Sequence, residues 1–231
     1  MARKGKFIGY AIGLSLIPLV VIIVSALTTD VSAVPYYVRD VTAVGKLHPF
    51  AGVLSNLGAF LWFATASIAV FGGLIGSRAH RQEEARFLYA AGALTFYLWF
   101  DDFFLLHEVL VRRYFGLSDK FVFLGIAAGL MAYLWRFRRM IAARSYPILG
   151  AALVLFASSV VWDVAADRKW VAIGDWSYLV EDGAKWLGIV CWAFFHVEAA
   201  FATASAPFRV SATKSAEARF ESFSRERVAN G

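Results

Sequence analysis

The sequence predicts an all-α fold: an integral membrane bundle of six transmembrane helices with both termini in the cytoplasm. Three observations predict it. Of the 231 residues, 60% are hydrophobic and only 17% charged, whereas water-soluble domains lie nearer to one half apolar and one quarter charged. The apolar residues gather into six runs, most of them close to the roughly 20 residues a helix needs to cross a bilayer. The basic residues fall in short clusters between those runs, the layout that sets orientation in a membrane.

The first run covers residues 7–27, after the basic start Met-Ala-Arg-Lys-Gly-Lys. It is longer than the core of a signal peptide, includes Ile22, Ile23 and Val24, and reads as an uncleaved span. The others are 50–75, 87–106, the short 121–137, 148–164 and 178–202. Residues 1–203 thus form a six-span domain, followed by a polar cytoplasmic tail, 204–231, with a surface helix expected near 216–225. Six spans put both ends on one side. On that side the connecting segments and termini carry fifteen Lys and Arg, with a tight cluster at Arg136, Arg138 and Arg139, against seven on the other. The bias places 77–86 and 138–146 inward and 28–49, 109–120 and 166–177 outward, in the inner membrane of a bacterium. Trp170, Trp176 and Tyr178 then lie near the outer interface.

The composition also excludes function classes. The net charge of +6 is spread as topology signals, and no nucleic-acid-binding motif is present, so nucleic acid is not a partner. One cysteine, Cys191, sits in an apolar run and allows neither an internal disulfide nor a metal-binding cysteine pair. There is no HExxH, G-x-S-x-G or P-loop.

Charged groups inside a span cost at least about 2.5–3.5 kcal/mol each near the bilayer centre, so they mark function or a specific partner. Span three ends in Asp101-Asp102-Phe-Phe-Leu-Leu-His107-Glu108. Span five brings Ser159 and Asp163, four residues apart and on one face; span six begins Glu181-Asp182-Gly-Ala-Lys185, and span two offers Ser55 and Asn56. All reach a similar depth in the outer third, although their helices run in opposite directions. This predicts an outward-facing polar cavity between spans two, three, five and six, with Glu181 and Lys185 able to pair along their helix. His196 and Glu198, about 22 Å further down span six, are expected to form a separate cap on the cytoplasmic side.

Five carboxylates (Asp101, Asp102, Asp163, Glu181 and Asp182) face one lysine in this layer, and unneutralised they repel one another. A cation resolves the excess. The oxygen-rich set with one imzidazole in reach, that of His107, suits Mn, Mg, Ca or Fe better than Zn. Asp102, His107, Asp163, Glu181 and Asp182 are the candidate ligands. Asp101 or Glu108 would be the base if the ion polarises a lipid ester or phosphate. Ser55, Asn56, Ser159 and Lys185 would complete the polar network. Beyond the lipid bilayer, the partner would be a lipid or small-molecule substrate. Three alternatives stay open: a proton- or cation-coupled transporter, a non-catalytic membrane subunit, and a purely structural polar network.

The motifs at 101–108 and 181–185 resemble a group of small bacterial multi-pass proteins of unknown activity that share DD-x-F-x-LHE and ED-G-x-K patterns. That resemblance covers roughly residues 50–200 and implies a shared fold without assigning a reaction. A more distant likeness is to the membrane hydrolase superfamily of alkaline ceramidases and adiponectin receptors, which hold zinc in a seven-span bundle. Ser55, Asn56 and Asp101 are similar to early polar positions of that superfamily. Here there are six runs, and Ala200 stands where a partner histidine for His196 would be, so no catalytic role carries over.

Overall fold

The computed structural model describes residues 2–28, 34–106, 113–114, 116, 119–171 and 173–229, and every regular element among them is a helix. They divide into two compact units. The first, residues 1–53, holds α1 (Ala2–Thr28) and two short helices, α2 (Val34–Val38) and α3 (Val41–Gly45). α1 carries Pro18 within its length, which spanning helices tolerate better than soluble ones. α3 ends at Lys46, whose backbone turns left-handed (φ 51°) and whose N–H donates to the Thr42 carbonyl.

Among its described residues the second unit, residues 54–231, has five helices: α4 (Val53–Arg78), α5 (Gln82–Phe104), α6 (Asp119–Ala142), α7 (Tyr146–Asp167) and α8 (Trp176–Ala229). Each of the six apolar runs falls largely on one long helix. Except for α4, which matches its run in length, the helices are longer than the runs, because charged residues continue the turns once the apolar stretch ends. The short run 121–137 thereby becomes the 24-residue α6. α8 is 54 residues long and continues past residue 203, where the sequence suggested a break between span and tail.

Among the described residues, four helical stretches are long and apolar enough to cross a membrane: Val53–Arg78, Phe121–Ala142, Tyr146–Asp167 and Trp176–Ala206. They mark the chain as a membrane protein. In α1 the apolar stretch among the described side chains is Leu16–Thr28, which is shorter. α5 is diluted by Glu83, Glu84 and Arg86 at its start and by Asp101 and Asp102 near its end. Of these charges, Asp101 and Asp102 are the ones that suggested a site.

Small residues let the helices approach closely. A methyl group added at Gly72 of α4 would lie 2.8 Å from the Ala200 Cβ of α8, and one at Gly188 of α8 would lie 2.6 Å from the Phe156 ring of α7. Between these contacts sits an aromatic core of Phe87, Tyr133, Phe137, Trp192 and Phe195. The α4–α5 connection is only Ala79 to Arg81, with His80 in the left-handed region at φ 58°. Arg81 donates to Glu84 at 2.7 Å and to the Thr203 carbonyl at 3.3 Å, tying this turn to α8. In the equally short α6–α7 connection, Arg144 lies over the Phe87 ring, 5.7 Å from its centre. Burial there pulls the guanidinium pKa below its ordinary value, a shift that the Glu84 carboxylate opposes.

Candidate functional site

Five helices of the second unit enclose a cavity of about 290 Å³. Helical periodicity selects its lining, since residues three, four and seven apart share a face. α5 contributes Leu94, Leu98, Asp101 and Asp102; α7 contributes Phe156, Ser159, Val160 and Asp163; α8 contributes Glu181, Lys185 and Trp192. Trp62 of α4 adds to the wall, and Phe123, Ile126 and Leu130 of α6 complete it.

Of the polar residues the sequence singled out, the cavity brings together Asp101, Asp102, Ser159, Asp163, Glu181 and Lys185, from spans three, five and six, and it has one wall the sequence did not single out. Asp101 is buried at 5% exposure and Ser159 at 7%. Asp102 is half-buried and forms an ion pair with Lys185 across the α5–α8 interface. The sequence spacing offered Glu181 as the partner of Lys185 along the same helix; the structure adds a reach across to Asp102 of α5. Glu181 is half-buried and Asp163 exposed at the rim. Asp182 is exposed and turns to a second, small pocket of about 20 Å³ shared with Ser55, Gly58, Asp102 and Lys185. The two acidic neighbours at the start of α8 diverge because successive helical residues point about 100° apart. Asn56 is exposed and lines neither pocket. His107 and Glu108 lie outside the described residues.

Among the described residues, no three His, Cys, Asp or Glu side chains stand close enough to hold one metal ion. The cavity's oxygen donors are the carboxylates of Asp101, Asp102, Asp163 and Glu181, with Asp102 already engaged by Lys185. Against them the described lining offers one ammonium and the rings of Trp62, Phe156 and Trp192. Trp62 and Phe156 stack with centroids 5.6 Å apart. The chamber is therefore apolar and aromatic along its walls and acidic toward one end.

Its floor is fixed by a buried chain of hydrogen bonds that the sequence did not reveal. Trp192 Nε1 donates to Thr95 Oγ1 at 2.9 Å. His196, fully buried, has its Nδ1 2.8 Å from the Trp192 carbonyl and its Nε2 2.9 Å from the Tyr133 hydroxyl. A carbonyl only accepts, so Nδ1 carries a proton; in the neutral ring, Nε2 then accepts from Tyr133. The expected cap of His196 with Glu198 does not form. Two residues apart on a helix point about 200° from each other, and Glu198 is exposed while His196 packs 4.3 Å from the Trp192 ring centre. The signal available was the spacing of Glu181, Lys185, Trp192 and His196, which share one face of α8.

This arrangement defines a multi-pass helical membrane protein with an acidic, aromatic-walled chamber among its helices. Residues 14–199 match the family model of a domain of unknown function, DUF8692. The chain belongs to that family. No curated protein and no solved structure matches it.

Proposed function

We propose that this DUF8692 protein is a six-span inner-membrane protein of bacteria, both termini cytoplasmic, whose chamber binds a cation from the outer face. One observation carries the reading: Asp101, Asp102, Asp163 and Glu181 share a cavity with a single ammonium among its described lining residues, that of Lys185. Carboxylates gathered in one cavity repel one another when ionised, and a bound cation relieves that repulsion. The walls narrow the choice. Trp62, Phe156 and Trp192 attract a cation through their ring faces, most strongly where water is excluded. A small organic ammonium suits both walls and rim. A divalent ion would draw its first oxygens from Asp163 and Glu181, completed by water.

The test is thermal unfolding of the purified protein with tetramethylammonium, Mg, Mn, Ca, Fe(II) or Zn. A ligand at one hundred times its Kd stabilises by about 2.7 kcal/mol, and that gain is expected to vanish in Asp163→Asn/Glu181→Gln. Stability unmoved by every one of these cations would end the proposal. Two further readings follow from the same chamber. Flux of the bound cation into liposomes, abolished by Asp102→Asn, would make it a transporter. Fatty-acid release from lipid, dependent on a divalent ion and on Asp101, would make it a hydrolase.

A further inference from the structure

The basic end of α6 carries a second, separate feature. A surface groove of about 450 Å³ is lined there by Glu83 of α5 and by Trp135, Arg136, Arg138, Arg139 and Met140 of α6. All three arginines are exposed. Glu83, the one acidic group among the groove's described lining residues, is shared: it accepts from Arg86 at 2.9 Å and from Arg136 at 3.4 Å. The guanidinium of Arg138 lies 5.4 Å from the centre of the Trp135 ring, and that of Arg136 lies 5.0 Å from the centre of Phe137. Three guanidiniums against one already shared carboxylate leave a strongly positive groove beside an aromatic ring.

The same helix face continues away from the groove as an apolar strip. Leu124, Ala128, Met131, Trp135 and Arg138 are spaced four and three residues apart, and all are exposed. They form one stripe about 21 Å long. It runs from aliphatic to aromatic to guanidinium along a helix able to cross a membrane. That is the order of groups met along a phospholipid from its chain, through the interface, to its phosphate.

We propose that this groove is a binding site for an anionic phospholipid, its phosphate held by Arg138 and Arg139 and one acyl chain lying along Leu124, Ala128 and Met131. Charge complementarity and the strip beside it argue for a lipid over a soluble anion. Guanidinium forks match phosphate oxygens two at a time, while an aromatic ring at headgroup depth anchors the interface. The inference does not depend on the cation chamber.

The experiment is native mass spectrometry of the purified protein titrated with phosphatidylglycerol or phosphatidylcholine of identical acyl chains. Each basic residue near the headgroup region changes affinity for an anionic lipid about fivefold. With two such residues, Arg138 and Arg139, wild type is expected to retain phosphatidylglycerol about 25-fold over phosphatidylcholine. Arg138→Gln/Arg139→Gln is expected to bring the two lipids level. Arg78→Gln removes an exposed charge at the end of α4, outside the groove, and is expected to leave the preference intact. Equal retention of both lipids by wild type overturns the proposal, as does an equal loss in Arg78→Gln. Glycerol phosphate displacing the lipid at equal concentration would assign the groove to a soluble anion. A dimer lost in the double variant would assign it to a second copy of the chain; either result also overturns the proposal.

Discussion

Replacing Lys185 by Met is the sharpest probe of the chamber, because it should damage the fold and improve the binding. Met keeps much of the apolar stem and removes the ammonium. A cavity of about 290 Å³, taken as a sphere, is about 8 Å across, so a bound cation sits about 6 Å from the position of the Lys185 charge. Repulsion at that distance is about 0.7 kcal/mol in water and about 3 kcal/mol at an effective dielectric of 20. The Lys185 side chain is 39% exposed, so the value belongs toward the lower end, about 1 kcal/mol, or about fivefold in affinity. Meanwhile Asp102, whose side chain is 12% exposed, loses its partner. Breaking a fully buried pair costs about 3–5 kcal/mol; screening at Lys185 reduces this to about 1–3 kcal/mol. Lys185→Met should therefore unfold at lower temperature yet bind the stabilising cation about fivefold more tightly by calorimetry. Asp102→Asn/Lys185→Met, with the charge balance restored, should recover both values. A folded Lys185→Met protein that binds the cation no better than wild type would refute the idea that lysine and ligand compete for one set of carboxylates.

Other outcomes follow from the packing. Tyr133→Phe leaves the buried His196 Nε2 without its donor and should cost about 1–3 kcal/mol, read as a lowered unfolding midpoint in detergent; an unchanged midpoint would mean the hydroxyl does not hold the ring. Gly72→Leu forces a side chain into the Ala200 contact and should abolish monodisperse protein on size exclusion. Gly150→Leu, where an added Cβ meets nothing within 4 Å, should behave as wild type. Six spans with cytoplasmic ends predict that, in a Cys191→Ser background, an impermeant maleimide labels intact spheroplasts carrying Arg168→Cys and not those carrying Arg78→Cys; the reverse pattern would invert the orientation.

The helices were legible in the sequence because apolar runs between basic clusters have few other solutions. The convergence of Asp101, Asp102, Asp163, Glu181 and Lys185 was legible for a related reason. Charged residues stand out against apolar spans, and their spacing fixes a face. The wall from α6 was not legible: Phe123, Ile126 and Leu130 carry nothing that separates a cavity-facing residue from a lipid-facing one. The Asp102–Lys185 pair could not be told from Glu181–Lys185, since spacing along one helix is visible in sequence and proximity between helices is not. Tyr133 and His196 lie 63 positions apart, so their bond required the packing of α6 against α8.

Trp192 is both the base of the chamber and a member of the strut that runs from Thr95 to Tyr133. Deepening the chamber at that ring would therefore slacken the helix junction beneath it. Ile126 and Leu130, by contrast, are held by packing alone, so the opposite side can be reshaped one methylene at a time. Relatives that accept bulkier or slimmer guests should differ along α6 and keep the indole in place.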